Sequence, residues 1–126
     1  DIRNIGRMCM DYEYSNGVLI YYLPPELDHY EADRIKRKSE EVFADGGVKY
    51  IVFDFSRVNF MDSSGIGLIT GRYRKISDKK GRAYVINVSE PIDKLLFLSG
   101  IYRIVIKRDS KEEIINDLLE GEYYAD

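Results

Sequence analysis

Two adjacent serines, Ser63 and Ser64, stand between Asp62 and a pair of glycines, Gly65 and Gly67, that are separated by Ile66. What chemistry is open to them depends on their setting. Upstream, Tyr50-Ile51-Val52-Phe53-Asp54-Phe55 is an apolar run of strand length, of the kind buried on both faces in a parallel sheet. Downstream, Ile66, Ile69, Tyr73 and Ile76 recur on one face of a helix. Asp62-Ser63-Ser64 therefore occupies the passage from a strand's carboxyl end into a helix. Aspartate and serine are favoured there because their side-chain oxygens accept from backbone N–H groups that have no partner in the first turn, and capping alone accounts for their presence. A serine hydroxyl so placed can also receive a phosphoryl group, which adds about −1.5 to −2 charges near neutral pH. The helix N-terminus stabilises that charge, and Asp62 beside it opposes it. Gly65 and Gly67 leave the helix start without bulk, so a partner's backbone or a nucleotide could approach closely.

Other chemistries lack their parts. A hydrolase needs a nucleophile, a base and a group that orients the base. The only histidine, His29, falls beside a predicted helix cap, where an inert surface role is the default. No carboxylate pair stands out for acid–base work, and no cluster has metal-ligand spacing, so no cofactor or metal is expected. Neither Gly-x-x-x-x-Gly-Lys nor Gly-x-Gly-x-x-Gly occurs.

The chain of 126 residues suffices for one domain with one hydrophobic core, expected over about residues 8–120, with 121–126 as a frayed tail. A net charge of −3 gives no general attraction to nucleic acid or an anionic membrane. No apolar run approaches the roughly 20 residues that span a bilayer, and the first residues do not read as a secretory signal. The absent initiator methionine suggests trimming. Cys9 is the only cysteine, which rules out an internal disulfide and suits a reducing cytoplasm.

In chain order, Met8, Met10, Tyr12 and Tyr14 alternate with polar residues as in a half-buried strand, and Asn16-Gly17 predicts a tight hairpin into Val18–Leu23. Pro24-Pro25 ends that strand. Asp28 is placed to cap the next helix, with Glu31 completing a capping box. Ala32, Ile35, Ser39, Val42 and Phe43 form the apolar face, Arg34, Lys36, Arg37, Lys38 and Glu40 a solvated one, and Gly46-Gly47 the stop. After the central strand and helix come a strand at Ala83–Val88, a short helix between Ser89 and Gly100, a strand at Ile101–Ile106, and a last helix opened by Ser110-Lys111-Glu112-Glu113. The order β-β-α-β-α-β-α-β-α predicts a single α/β domain, a mostly parallel sheet with an antiparallel N-terminal edge strand and about four helices.

Val58-Asn59-Phe60-Met61-Asp62-Ser63-Ser64-Gly65-Ile66-Gly67, followed by Gly71-Arg72-Tyr73, resembles the anti-sigma factor antagonists of the STAS domain family, and among them the stage II sporulation type. Glu26-Leu27-Asp28-His29, Ile51-Val52-Phe53-Asp54-Phe55 and Leu98-Ser99-Gly100-Ile101 extend the resemblance over nearly the whole chain. It implies a four-helix, mostly parallel-sheet domain without catalytic activity. It further implies that Ser63 is phosphorylated by an anti-sigma factor that is itself a serine kinase. The unphosphorylated form would bind that kinase and free the sigma factor, and a serine phosphatase would reset the switch. The partner surface it implies comprises Asp28, Asp62, Ser63, Ser64, Gly65, Ile66 and Gly67. Pro24-Pro25 departs from the family's usual glycine before Glu-Leu-Asp, which bears on partner choice. Two other readings stay open: a STAS module of another assembly, such as a stress-signalling complex, and a nucleotide-binding protein using the Gly65–Gly67 turn.

Overall fold

The computed structural model describes residues 10–124, so Met8 and Cys9 of the predicted first strand, and Ala125 and Asp126 of the predicted tail, lie outside the described residues. Strands β1 (Tyr12–Ser15) and β2 (Val18–Tyr22) form the expected hairpin. Asn16 and Gly17 both take positive φ, +52° and +81°, as a two-residue turn between right-twisted strands requires. The predicted alternation of β1 holds at Tyr12, which packs against the core, and at Glu13, which is exposed, but Tyr14 is exposed and Asp11, just before the strand, is buried. The reason is electrostatic. Asp11 accepts from Arg34 Nη1 at 2.8 Å and Nη2 at 3.0 Å, and from Lys38 Nζ at 2.9 Å. A carboxylate with three charged donors is tolerated where an unpaired one is not.

Two very short strands form a separate two-stranded ladder, β3 (Glu26–Leu27) before helix α1 (His29–Ser39) and β5 (Phe60–Met61) before helix α2 (Ser63–Arg74). Between these helices runs β4 (Tyr50–Asp54). The chain ends with β6 (Arg82–Ile86), α3 (Glu90–Ser99), β7 (Val105–Lys107) and α4 (Lys111–Tyr124). The main sheet has the order β1-β2-β4-β6-β7, with β1–β2 antiparallel and the other pairs parallel. This is the predicted architecture.

Three boundaries shift. Ile101–Arg103 is a 3-10 turn rather than the start of a strand, and the last strand begins at Val105. Ile101 is buried all the same, which is why its stretch imitates a strand in the sequence. The first helix ends at Ser39, with a 3-10 turn over Glu40–Phe43. The last helix continues past residue 120, where the sequence pattern fades, to Tyr124.

The sheet's two faces are covered unequally. Leu19, Tyr21, Ile51, Phe53, Ala83, Val85 and Val105 face one core with α1, α2 and α3, through Ile35, Leu68, Ile69, Ile92 and Leu96. Tyr21 stacks on Phe53 with ring centroids 5.4 Å apart, and its hydroxyl pairs with Ser39 Oγ at 2.7 Å. The other face, with Val52, Tyr84 and Ile86, is met by Ile114 and Leu118 of α4.

Candidate functional site

Glu26 pairs with Phe60 and Leu27 with Met61 in a parallel two-residue ladder, extended by Asp62 N–H donating to the Leu27 carbonyl at 3.4 Å. The next residues in register are Asp28 and Asp62, the N-caps of α1 and α2. Two helices therefore start side by side. Asp28 Oδ1 accepts from Glu31 N–H at 2.9 Å, and Asp62 Oδ1 from Ser64 N–H at 2.8 Å. Glu31 does not close the predicted capping box; its carboxylate instead accepts from Arg34 Nε at 2.7 Å. The oppositely charged guanidinium outcompetes a neutral amide.

Ser63 is the first residue of α2 and exposed, and its hydroxyl has no hydrogen-bond partner among the described residues. Ser64 is half-buried, and its Oγ lies 3.5 Å from His29 Nδ1. His29 thus meets the second serine of the pair, at the outer limit of a hydrogen bond, and its ring is exposed. Helix α2 carries no acidic residue in its first turn, whereas α1 has Glu31 there. The positive end of the α2 dipole is accordingly balanced by its cap alone.

The glycines of the motif separate into two kinds. A Cβ on Gly65 would stand 2.5 Å from Met61 Cγ, 2.7 Å from its Sδ and 3.0 Å from Leu27 Cδ2. Gly65 is buried, so it serves the close seating of α2 on the β3–β5 ladder rather than the approach of a partner expected for it. Gly67 and Gly71 have open space where a Cβ would lie. Each glycine in a helix interior costs roughly 0.5–1 kcal/mol relative to alanine, and at these two positions no internal contact requires it. Ile66 is partly buried against the main core. Both Gly65 and Gly67 lie within α2 and not in a loop, so they form no glycine turn around a phosphate.

Between α1 and α2 runs a groove of about 210 Å³ lined by His29, Ala32, Asp33, Lys36, Ser64, Gly67, Leu68, Gly71 and Arg72. Arg72 is 2% exposed. Its Nη1 donates to Glu40 at 3.0 Å, and its guanidinium carbon lies 5.1 Å from the Phe43 ring centroid. Its Nε–H is buried without a partner among the described residues, an omission worth about 1–3 kcal/mol in a dry site. Lys75 also reaches Glu40, at 2.8 Å, and the two cations hold the Glu40 carboxyl below its ordinary range. So Arg34, Lys38 and Glu40, expected on a solvated face, are tied to Asp11, Arg72 and Lys75. Arg72 falls on the same stripe as Leu68, Ile69 and Ile76, and that spacing was the available signal of its burial.

A STAS domain family model matches residues 10–117. The chain is 35% identical over 109 residues to an anti-sigma F factor antagonist of Paenibacillus polymyxa, covering 86% of this chain and 93% of that protein. An anti-sigma F factor antagonist of Lysinibacillus sphaericus is 33% identical over 96 residues, 76% of this chain and 80% of its own. Among solved structures, the anti-sigma factor antagonist SpoIIAA in its unphosphorylated form superposes with a TM-score of 0.68 at 31% identity, covering 87% of this chain and 96% of that one. The Bacillus protein in its phosphorylated form gives 0.67 at 31%, over 85% and 96%. With the family pattern spanning every strand of the sheet and both capped helix starts, the chain belongs to the STAS domain family.

Proposed function

We propose that the chain is an anti-sigma factor antagonist switched by phosphorylation of Ser63. The observation that carries this reading is the Ser63 hydroxyl, exposed and without a hydrogen-bond partner among the described residues, at the first position of α2 in a first turn without acidic residues. The names of the relatives support it. In the unphosphorylated state the paired helix starts bind a serine-kinase anti-sigma factor, and the sigma factor is released. On the kinase, Ser63 Oγ attacks the γ-phosphorus of ATP, its proton passes to a base of the kinase, and ADP leaves. The new phosphoryl group brings about −1.5 to −2 charges beside Asp62, and the partner surface is repelled. A serine phosphatase restores the hydroxyl by hydrolysis.

Within that surface Asp28, Asp62, Ser63, Ser64 and Gly67 are the groups open to a partner, while Ile66 supports them from a partly buried position and Gly65 from below. The chain itself acts as substrate and ligand; catalysis belongs to the kinase. No described helix is long and apolar enough to cross a membrane, and a cytoplasmic site of action suits the proposed partners.

The test is to incubate Ser63→Ala and the unaltered protein with the host's serine-kinase anti-sigma factor and ATP. The variant is expected to bind the kinase and to yield no phosphopeptide. Phosphate retained on Ser64 in that variant would move the switch to the second serine.

A further inference from the structure

We propose that His29 is a specificity-determining residue that holds the Ser64 hydroxyl and so directs phosphoryl transfer to Ser63, a role that rests on the Ser63 switch proposed above. Two serines stand next to each other at the α2 start, and the chemistry of transfer does not distinguish them. Either Oγ can attack the γ-phosphorus of ATP, pass its proton to a base of the kinase and displace ADP. Their surroundings differ. Ser63 is exposed, with no hydrogen-bond partner for its hydroxyl among the described residues. Ser64 is half-buried, and its Oγ lies 3.5 Å from His29 Nδ1. To react, Ser64 has to give up that contact and turn out from the groove wall it shares with His29. His29 is the first residue of α1, and the β3–β5 ladder fixes that helix start beside the α2 start, so the fold itself delivers the ring to Ser64. The acid on the same groove wall, Asp33, is engaged by Arg37 at 2.9 Å and does not compete for the ring. One hydrogen bond at the outer limit of its range biases the choice between two hydroxyls by about three- to tenfold. The half-burial of Ser64 adds to that bias.

The unaltered protein, His29→Ala and His29→Asn are each incubated with excess host serine-kinase anti-sigma factor and ATP, and the phosphate is located by tandem mass spectrometry. No lysine or arginine stands between Arg57 and Arg72, so both serines fall in one tryptic peptide. The ratio of Ser64 to Ser63 phosphate is therefore independent of the overall rate and of affinity for the kinase. His29→Ala is expected to raise that ratio about three- to tenfold. His29→Asn, whose amide places a polar group near the position of Nδ1, is expected to restore it to within about twofold of the unaltered protein. His29 is exposed, so both variants are expected to melt with the unaltered protein. A ratio unmoved by His29→Ala, the absence of Ser64 phosphate from every variant included, would overturn the proposal. So would an equal rise in His29→Asn, which would assign the effect to the bulk of the ring and not to its contact. Each of these results keeps Ser63 as the main acceptor and leaves the switch standing. Phosphate chiefly on Ser64 in the unaltered protein would overturn both readings.

Discussion

Helices α1 and α2 begin abreast, each capped by an aspartate in the same register, and their first turns are made differently. The α1 start holds Glu31 in its first turn and is braced further along by Arg34 and Lys38 on Asp11. The α2 start has two serines, no acid, and a glycine pressed onto Met61 and Leu27. One start is electrostatically complete; the other leaves its dipole to the cap and an exposed hydroxyl. A pair of otherwise equivalent helix ends thus yields one fixed reference point and one end that carries the proposed phosphorylation position, and the short ladder holds them side by side.

The largest expected effect tests whether the complete end also touches the partner. Asp28→Asn should keep the fold, because asparagine caps about as well as aspartate. If Asp28 makes a desolvated charge pair with the kinase, affinity should fall by about 2–5 kcal/mol, read by titration calorimetry. Affinity within twofold of the parent would leave Asp28 as a cap alone. Next, Gly65→Ala attacks the seam between the two starts. Overpacking against Met61 and Leu27, partly offset by alanine's helix preference, should cost about 1–2 kcal/mol in denaturant unfolding. An unchanged midpoint would show that Met61 yields freely.

The bracing of α1 gives a pH dependence. Arg34, Lys38 and their hydrogen bonds hold the Asp11 carboxyl below its ordinary 3.8 despite its burial. With the folded pKa below the unfolded one, the stabilisation is fully present above the ordinary value and is lost as pH falls through the folded pKa. Asp11→Asn should cost about 1 kcal/mol near neutral pH, since both cationic partners are partly exposed. Thermal melts between acid and neutral pH should show a shallower loss below the ordinary carboxylate range in the variant. Smallest, Gly67→Ala adds a methyl group to open space and should stabilise by a few tenths to about 1 kcal/mol, in contrast to Gly65→Ala.

The contrast between those glycines also marks what the sequence can and cannot disclose. Period-two and helical patterning delivered the sheet, the four helices and both aspartate caps, because each depends on local chemistry. Gly65 and Gly67 look alike in one dimension; they differ only because Met61 and Leu27 arrive beneath one of them. The β3–β5 ladder is two residues long, too short for any periodicity, and joins segments far apart in the chain. The same distance hid the pairing of Asp11 with Arg34 and of Glu40 with Arg72, which left a charged helix face looking merely solvated. Ile101 misled in the other direction, since a buried residue in a 3-10 turn has the same polarity as one in a strand.

The ladder that aligns Asp28 with Asp62 has a consequence for recognition. A partner that touches both helix starts meets two contacts whose spacing is already set, so the second forms without a fresh loss of rotational freedom. The two contacts then behave as a short, rigid bivalent ligand, in which weakening one also removes the advantage the other draws from being held in place. A modification confined to the α2 start can therefore release a partner whose hold on the α1 start is chemically unaltered.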